Sequence, residues 1–401
     1  SETLRDELLI NDKRHIHTQS DTEVLLNIFA HELLGAESPT FKVSDLFNAI
    51  NGVHDRCSGA YAVVAIIAGY GLVAFRDIHG IRPLILGRKK NSSGYSYIVS
   101  SESVALDLLG YETLRDLAPG ESIFIDMKGK IHKSIYSKEL ELSPCIFEYV
   151  YFSRPDSKID EISVYKARMR MGTKLAGQIK KTRPDHDIDV VIPIPDSSVT
   201  AAHQLAVDLQ VPYREGFVKN RYIGRTFIMP YQEERRKSVR RKLNILDLEF
   251  DGKNVLLVDD SIVRGTTSKK IIEMAREAGA NKVYFASAAP AVQYPNVYGI
   301  DMPAAQELIA HGRTTEEIGK LIGADKLIYQ DLEDLVETCK EGNPGVESFD
   351  CSVFNGTYLA GNITPEYLAS LEARRNDMAK GSNEKTQALA DNEIIDLHNT
   401  N

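Results

Sequence analysis

The sequence is poor in cysteine, with four thiols in 401 residues and no CxxC pair among them. A chain of this length has room for two or three domains and a sizeable core, so it does not need a disulfide framework. The first residues also have no signal-like character. Together these absences predict reduced thiols, no disulfides and a cytoplasmic location. The cysteines are Cys57, Cys145, Cys339 and Cys351.

No apolar run is long enough to cross a membrane. The longest, residues 60–75, is shorter than the roughly 18 residues of a membrane-spanning helix and is interrupted by Gly69 and Gly71. We expect this stretch to form two buried strands joined by a glycine turn, and we expect no membrane partner.

Basic residues are in the minority. The 48 Lys and Arg residues stand against 57 Asp and Glu residues, which gives a net charge of −9. Such a chain repels a nucleic-acid backbone overall, so no nucleic-acid partner is expected. A polyanion site would need a local basic cluster, and one lies at residues 235–242.

The pattern of short apolar runs changes near Pro144. Residues 53–133 are rich in β-type runs separated by Gly, Pro and Asn turns, which favours a sheet-dominated layer. After Pro144, predicted strands alternate with predicted helices, the first over about residues 163–182, as in a parallel sheet with crossover helices. We predict a first domain over residues 1–144, an α/β domain over residues 145–360, and a C-terminal helix with a polar, disordered tail over residues 361–401.

The sharpest local signal is the string NVLLVDDSIVRGTTS at residues 254–268. An apolar strand leads to Asp259 and Asp260, and then to a turn of hydroxyl residues and glycine that enters a helix. Main-chain N–H groups of such a turn bind a phosphate, and Gly265 permits close approach. The two carboxylates can accept hydrogen bonds from a vicinal diol or bind a hard cation. Acids that merely cap a helix are the alternative for the pair alone, and the full string argues against it.

Two further segments are candidates for the same ligand. Residues 189–198, DVVIPIPDSS, predict another strand that ends in a polar turn, although a simple capped helix start has the same pattern. Residues 219–244 are rich in Lys and Arg and have few apolar runs. We interpret them as a loop that closes over a pyrophosphate leaving group, whose charges need fixed cations. A nuclear-import or nucleic-acid patch and a solvated helix face are the alternatives.

The string LLVDDSIVRGTTS resembles the signature with which type I phosphoribosyltransferases bind 5-phosphoribosyl-1-pyrophosphate (PRPP). The resemblance implies that Asp259 and Asp260 hold the ribose hydroxyls and associated Mg²⁺, and that residues 261–267 hold the 5′-phosphate. It also implies that residues 189–198 are the pyrophosphate loop, in which Ser197 contributes a Mg²⁺ ligand. The implied PRPP-binding residues are Asp259, Asp260, Ser261, Val263, Arg264, Gly265, Thr266 and Thr267.

The basic segment KNRYIGRTF…RRKSVRRKLN and most of the first half resemble the glutamine PRPP amidotransferase family. The matching segments include SDTEVLL, CSGAYAVVA, FRDIHGIRPL, SSESVALDLLGYE and IFEYVYFSRPDS, and the likeness covers residues 1–360. The resemblance implies an α/β fold in two domains: a truncated N-terminal-nucleophile (αββα) glutaminase domain, then a type I phosphoribosyltransferase domain with a parallel sheet. It places Lys219, Arg221, Tyr222 and Arg225 in a closing loop near the ligand.

The resemblance also implies an activity. The family hydrolyses glutamine in the front domain and uses the ammonia to displace pyrophosphate from C1 of PRPP, which makes 5-phosphoribosylamine in the first step of de novo purine (IMP) biosynthesis. A carboxylate at the position of Asp21 binds the α-amino group of glutamine in that family, whereas the residue alone is more typical of a helix N-cap. The family's nucleophile is an amino-terminal cysteine, but this sequence starts with Ser1 and has no cysteine before Cys57. We therefore expect no catalytic nucleophile in this chain and turnover with ammonia only.

The remaining expectations concern cofactors and partners. We expect Mg²⁺ but no iron–sulfur cluster, because a cluster needs four thiolates, usually in close-spaced pairs. The resemblance implies purine nucleotides as feedback inhibitors and a homo-oligomer. The alternatives are a salvage-type phosphoribosyltransferase and a PRPP- or nucleotide-binding regulatory module without catalysis. Both leave the glutaminase-like first half unexplained.

Overall fold

The computed structural model describes residues 2–373 apart from residues 19, 36–39, 93, 138, 221–242, 301 and 362. The helices and strands form a first half of antiparallel sheets and a second half built on a parallel sheet. Within the described part of the chain, no helix is long and apolar enough to cross a membrane. The domain limits at residues 144 and 360 stay predictions, and the end of the predicted tail, residues 374–401, lies outside the described residues.

Helices open the first half, and antiparallel strands follow. The helices are α1 (Glu2–Ile10), α2 (Asp21–Leu34) and α3 (Val43–Arg56). The strands are β1 (Ala62–Ile67), β2 (Gly71–Arg76), β3 (Ile85–Asn91), β4 (Gly94–Ser100), β5 (Glu112–Asp116), β6 (Glu121–Asp126) and β7 (Ile131–Ile135), with α4 (Ser103–Leu109) between β4 and β5. One sheet has the order β1-β2-β6-β7 and the other has the order β4-β3-β5. The sheet-dominated layer predicted for residues 53–133 is thus present.

The strands within residues 60–75 correct one expectation. β1 and β2 pair as an antiparallel hairpin, and β1 lies at the edge of the described sheet. β2 is largely buried, but β1 alternates between exposed and half-buried side chains, and Ile66 is 81% exposed. The prediction of two buried strands is therefore wrong for β1. An apolar run does not reveal whether the strand has packing partners on both faces.

The second half of the chain contains one open parallel sheet with helices on both faces, and two separate two-stranded sheets. Its strands are β8 (Lys158–Ile159), β9 (Ile162–Ser163), β10 (Val190–Pro193), β11 (Phe217–Lys219), β12 (Leu243–Ile245), β13 (Asn254–Asp259), β14 (Lys282–Ser287) and β15 (Lys326–Tyr329). Its helices are α5 (Val164–Thr182), α6 (Val199–Leu209), α7 (Thr266–Glu277), α8 (Thr315–Ile322), α9 (Leu332–Lys340) and α10 (Ser352–Asn355), with a π-helical turn at Glu148–Phe152 and 3₁₀ turns at Asp247–Glu249 and Ala305–Glu307. Strands β10, β13, β14 and β15 pair in parallel in that order. The helix predicted over residues 163–182 is confirmed as α5.

Both faces of β13 are buried. Val255 and Leu257 pack on the side of α7 and α8, whereas Leu256 and Val258 pack on the side of α5 and α6. Successive side chains of a strand point to opposite faces, so a strand covered by helices on both sides must be apolar throughout. This explains why residues 255–258 of β13 are a continuous apolar run, which ends at Asp259.

A buried ion pair joins the two halves. Arg76 on β2 donates to both carboxylate oxygens of Asp160, which lies between β8 and β9, over 2.7 and 2.9 Å. The arginine also donates to the main-chain oxygens of Gly80, Arg82 and Leu117. Both charged side chains are buried. The guanidinium and the carboxylate therefore hold the two halves together through a closely hydrogen-bonded pair.

Candidate active site

Asp259 and Asp260 lie where β13 leaves the parallel sheet, at the carboxyl edge of its strands. Ligands of open α/β sheets bind beyond this edge. Asp260 is buried and Asp259 is partly exposed. Burial and repulsion by Asp260 raise the pKa of Asp259 well above its usual range, and burial also raises the pKa of Asp260. Two carboxylates held this close together need cations or hydrogen-bond donors, which a metal ion and a vicinal diol both supply.

Hydroxyl groups on both sides hold Asp260. Ser197 donates to Oδ2 and Ser261 donates to Oδ1 over 2.7 Å, and both hydrogen bonds oppose the rise in the pKa of Asp260. The main-chain N–H of Asp260 donates to Oδ1 of Asp259 over 3.0 Å. The structure thus brings Ser197 next to the acidic pair. Its role as a Mg²⁺ ligand stays a prediction.

Two loops meet beside the acidic pair because their strands are neighbours. β10 pairs with β13, and the N–H of Ile194 donates to the carbonyl of Val258 over 2.8 Å. Residues 194–198 therefore leave the sheet alongside residues 259–265. Ser198 is buried and closes its turn by donating to the carbonyl of Ile194 over 2.5 Å. The two segments singled out from the sequence thus lie at one edge of the sheet.

The turn after the acidic pair enters α7 at Thr266. Gly265 has a φ of +73°, and a Cβ atom there would lie 2.2 Å from Cδ1 of Ile309. Both the backbone conformation and the close contact favour glycine. The first N–H groups of α7 have no acceptors within the helix, and the side chains of Thr266 and Thr267 are exposed beside them. The turn is therefore an open set of N–H and hydroxyl donors, which is the arrangement that binds a phosphate.

Val263 and Arg264 anchor the same turn. The carbonyl of Val263 accepts a hydrogen bond from the N–H of Ile309 over 2.9 Å. Arg264 donates from Nε to Oε2 of Glu307 over 2.9 Å. These contacts fix the turn against the segment before α8. The contact of Val263 and Arg264 with PRPP stays a prediction.

Of the four closing-loop residues that the resemblance places near the ligand, the structure describes Lys219. Its Nζ pairs with Oδ2 of Asp196 at 2.5 Å, in the turn that follows β10. Both side chains are largely exposed, so the pair contributes little to stability and either charge can exchange its partner for a ligand. Arg221, Tyr222 and Arg225 lie outside the described residues.

Sequence reasoning missed Arg168, a buried arginine near this site. It is 3% exposed and donates to the carbonyl oxygens of Tyr149 and Ser153 over 2.9 and 2.8 Å. Burial lowers the pKa of Arg168, and the charge of Asp260 is the largest effect that opposes this. The sequence did contain a signal: Arg168 follows Val164 by four residues on the apolar face of α5.

Asp21 lies in the first turn of α2 and is exposed. The N-cap of this helix is Ser20, whose Oγ accepts a hydrogen bond from the N–H of Thr22 over 3.2 Å. The helix therefore does not need Asp21 as its cap, although an acid in the first turn is favourable for the helix dipole. The contact of Asp21 with glutamine stays a prediction.

All four cysteines are buried free thiols. Burial raises the pKa of Cys57 to about 11 and the pKa of both Cys339 and Cys351 to about 12, and it raises the pKa of Cys145 as well. Because the thiolate is the nucleophilic form, none of these thiols is prepared for nucleophilic attack.

Two domain families match separate parts of the chain. The family described as the phosphoribosyl transferase domain matches residues 158–295. The family described as the glutamine amidotransferase domain matches residues 1–108. The acidic pair and its turn lie in the first of these matches, and Asp21 lies in the second.

Similarity extends over nearly the whole chain. The amidophosphoribosyltransferase of Pseudomonas aeruginosa is 58% identical over 99% of this chain and 78% of its own length. That of Escherichia coli is 55% identical over 99% of this chain and 78% of its own length. A solved structure described as glutamine PRPP amidotransferase from B. subtilis complexed with ADP and GMP has a TM-score of 0.76 and 36% identity, covering 91% of this chain and 76% of its own. Proteins that share only the PRPP loop would not match residues outside the transferase domain, so the two alternatives are not favoured.

Proposed function

The chain belongs to the amidophosphoribosyltransferase family, and we propose that it carries out the family's phosphoribosyl transfer at the carboxyl edge of its parallel sheet. The reaction makes 5-phosphoribosylamine from PRPP and glutamine-derived ammonia, as the first step of de novo purine biosynthesis. One observation carries the placement: the adjacent carboxylates of Asp259 and Asp260, the second of them buried, lie directly before an open donor turn at the start of α7.

The ribose and its 5′-phosphate complement the two parts of this site. Ionised carboxylates only accept hydrogen bonds, so Asp259 and Asp260 match the hydroxyl donors of a ribose. Residues 261–267 present N–H groups and hydroxyls, which match the acceptor oxygens of a phosphate. Gly265 allows the main chain to come close to that phosphate. Each part of PRPP thus meets groups of the complementary hydrogen-bonding type.

The oxygen donors at this edge also fit Mg²⁺. Asp259 and Asp260 offer carboxylates and Ser197 offers a hydroxyl, and Mg²⁺ usually binds through one or two carboxylates together with substrate phosphates and water. The described residues hold no group of three or more His, Cys, Asp and Glu side chains that could enclose a metal ion by themselves. These oxygens would therefore hold the ion jointly with PRPP. When bound, the ion supplies positive charge that stabilises the departing pyrophosphate.

The transfer depends on positioning more than on acid–base groups. Ammonia attacks C1 of PRPP, the bond from C1 to the pyrophosphate oxygen breaks, and the new amine releases a proton to solvent. Lys219 of the proposed closing loop now pairs with Asp196 of the proposed pyrophosphate loop, and it would exchange this carboxylate for the leaving group. Arg221, Tyr222 and Arg225 complete the closing loop in this proposal.

The first half contributes Asp21 as the proposed ligand of the α-amino group of glutamine. Its exposure at the start of α2 leaves the carboxylate accessible to a small molecule. The thiols of these 401 residues are all buried with raised pKa values, so we expect this chain by itself to use ammonia and not glutamine.

Pyrophosphate release from Mg·PRPP tests the proposal, with ammonia or glutamine as the nitrogen donor for the 401-residue chain. We expect release with ammonia and none with glutamine. Asp260→Asn should strongly weaken PRPP binding because the amide removes a charge and an acceptor. The matched control is Asp156→Asn, in an exposed ion pair with Arg154, which should keep full activity.

Two results would contradict these expectations separately. Equal rates with ammonia and glutamine would sink the ammonia-only expectation. PRPP affinity that is the same in Asp260→Asn as in the unchanged chain would overturn the placement of PRPP.

We also infer that purine nucleotides compete with PRPP for the turn at residues 261–267. The B. subtilis structure is described as a complex with ADP and GMP, and the 5′-phosphate of a nucleotide is the same anion as the 5′-phosphate of PRPP. Raising PRPP should therefore relieve inhibition by GMP in the ammonia assay. Inhibition that does not respond to PRPP would contradict a shared turn. The homo-oligomer and the cytoplasmic location stay predictions.

A further inference from the structure

A groove borders the turn at residues 261–267, between the start of α7, the segment before α8, and α8 itself. Its lining includes Arg264, Thr266, Lys269, Gln306, Arg313 and Leu321, and its volume is about 280 Å³. Pockets for whole small molecules are usually larger, roughly 300–1,000 Å³. We call this feature the α7–α8 groove, and its size suits a few side chains of a peptide.

The α7–α8 groove carries uncompensated positive charge beside exposed apolar surface. Arg264 pairs with Glu307 at 2.9 Å. Lys269 and Arg313 are exposed, and neither has an ion-pair partner among the described residues. Leu321, on α8, is 50% exposed. A chain segment with both carboxylates and apolar side chains would therefore satisfy the charges and cover the leucine at the same time.

The described part of the chain ends at the rim of this groove. Residues 365–373 are helical, and Oε1 of Glu372 accepts a hydrogen bond from the N–H of Gln306 over 3.4 Å. Gln306 is one of the residues that line the groove. Residues 374–401, which lie outside the described residues, therefore continue the chain from a point next to the groove.

One stretch of residues 374–401 has the composition that the groove requires. Residues 389–397, LADNEIIDL, contain three acidic side chains, four large apolar ones and no Lys or Arg. Residues 374–388 contain four Lys and Arg but only one large apolar side chain, Met378. These intervening residues reach about 50 Å when fully extended, so they can link Ala373 to the groove. Such tethering gives a local concentration of about millimolar, which favours occupancy of even a weak contact.

We propose that residues 389–397 dock in the α7–α8 groove of the same chain. The acidic side chains pair with Lys269 and Arg313, and an apolar side chain covers Leu321. This inference goes beyond the proposed function, because it does not depend on what the acidic pair at the end of β13 binds. Thr266 belongs both to the groove and to the turn at residues 261–267, so the docked segment lies next to the proposed 5′-phosphate site.

Carbodiimide crosslinking of the full chain, followed by mass spectrometry, tests the contact. This reagent joins a lysine amine directly to a carboxylate, so it reports only groups that touch. We expect Lys269 to be linked to an acidic side chain of residues 389–397. The matched control is Lys270, the next residue on α7, which pairs with Glu273 and does not line the groove. No link from Lys269 to residues 389–397, or equally frequent links from Lys270, would overturn the inference.

A charge reversal tests whether the contact is specific. Arg313→Glu reverses a groove cation and leaves Lys269 available for the reaction. We expect the yield of the Lys269 link to fall about threefold, as for the loss of an exposed ion pair. Lys181→Glu makes the same change at the exposed end of α5, on the other face of the sheet, and should leave the yield unchanged. An unaffected yield in Arg313→Glu, or an equal fall in both variants, would mean that the link reflects chance encounters and would overturn the inference.

An equal mixture of ¹⁵N-labelled and unlabelled chains, equilibrated before crosslinking, shows which copy supplies the docked segment. Docking within one chain predicts linked peptides that are both heavy or both light. Mixed pairs as frequent as matched pairs would mean that a second copy occupies the groove, and the inference for a single chain would fail.

Discussion

At the scale of single residues, Asp260 is held in surroundings that are unfavourable for a carboxylate. It is buried and adjacent to Asp259, and burial raises its pKa. Hydroxyl donors at Ser197 and Ser261 and the charge of Arg168 offset only part of this cost. Groups of this kind persist in proteins chiefly where a ligand completes their interactions. The unfavourable environment of the acidic pair thus supports its assignment to the site.

Gly265→Ala should damage the turn that is proposed to bind the 5′-phosphate. The substitution puts a Cβ atom on a residue with φ +73° and against Ile309 at 2.2 Å. The backbone strain alone costs about 1–3 kcal/mol. We expect a lower free energy of unfolding in urea and a higher KM for PRPP, because the turn must move to relieve the contact.

Gly252→Ala is the matched control for this change. Gly252 has a similar φ of +68° but open space around the position of a Cβ atom. The Gly252→Ala variant should have a lower free energy of unfolding, through backbone strain alone, and an unchanged KM for PRPP. Equal losses of stability and an equal KM in the two variants would refute the role of the close contact.

At the scale of elements, the pairing of strands assembles the site. Ser197 and Asp260 are 63 residues apart in sequence and share a hydrogen bond. They meet because β10 and β13 are adjacent and parallel, so their carboxyl ends open at the same edge. The helix that follows β13 then begins at this edge and directs its free N–H groups to the same space.

Side chains on the edge strand β1 alternate between exposed and half-buried, and this difference in exposure leads to a prediction about stability. Ile66 faces solvent on β1, whereas Val73 on the neighbouring β2 is fully buried. Val73→Thr should lower the free energy of unfolding by about 1–3 kcal/mol, because it buries a hydroxyl in an apolar site. Ile66→Thr should change it by less than about 0.5 kcal/mol. Urea unfolding of the two variants measures the difference, and similar losses would mean that another surface covers Ile66 in solution.

At the scale of the whole molecule, charged groups as well as apolar surface join the two halves. Arg76 and Asp160 form a buried pair across the junction, and Nη1 of Arg82 donates to Oε1 of Glu148 over 3.0 Å. A buried ion pair adds little net stability over an apolar replacement, but it is costly to break on one side only. The pair therefore favours one arrangement of the halves over others.

Asp160→Asn should be one of the more destabilising single changes in the chain. It leaves Arg76 buried without its charge partner, which costs about 3–5 kcal/mol. Asp156→Asn is the control, because its pair with Arg154 is exposed and such pairs contribute at most about 1 kcal/mol. Differential scanning calorimetry should show a large fall in Tm for Asp160→Asn only. A fall of the same size in both variants would contradict the role of burial.

Much of the site could be predicted from sequence because its signals are local. Residues 254–268 predict a strand, a polar turn and a helix, and β13 and α7 confirm these elements. An apolar run, an acidic pair and a glycine followed by two threonines lie next to each other along the chain, so no knowledge of the tertiary fold is needed to read them. The alternating pattern after Pro144 likewise predicts a parallel sheet from short-range order alone.

The sequence by itself determined the change from a sheet-rich first half to an alternating second half, the strand, turn and helix of residues 254–268, and the family of the chain. The tertiary structure alone decided that Ile66 is exposed, that Ser197 reaches Asp260, and that Arg168 is buried beside residues 148–153. These facts depend on which strands pair and which helix face meets the sheet. Pairing and burial are set by contacts between residues far apart in sequence, whereas propensity, turns and motifs are properties of neighbouring residues.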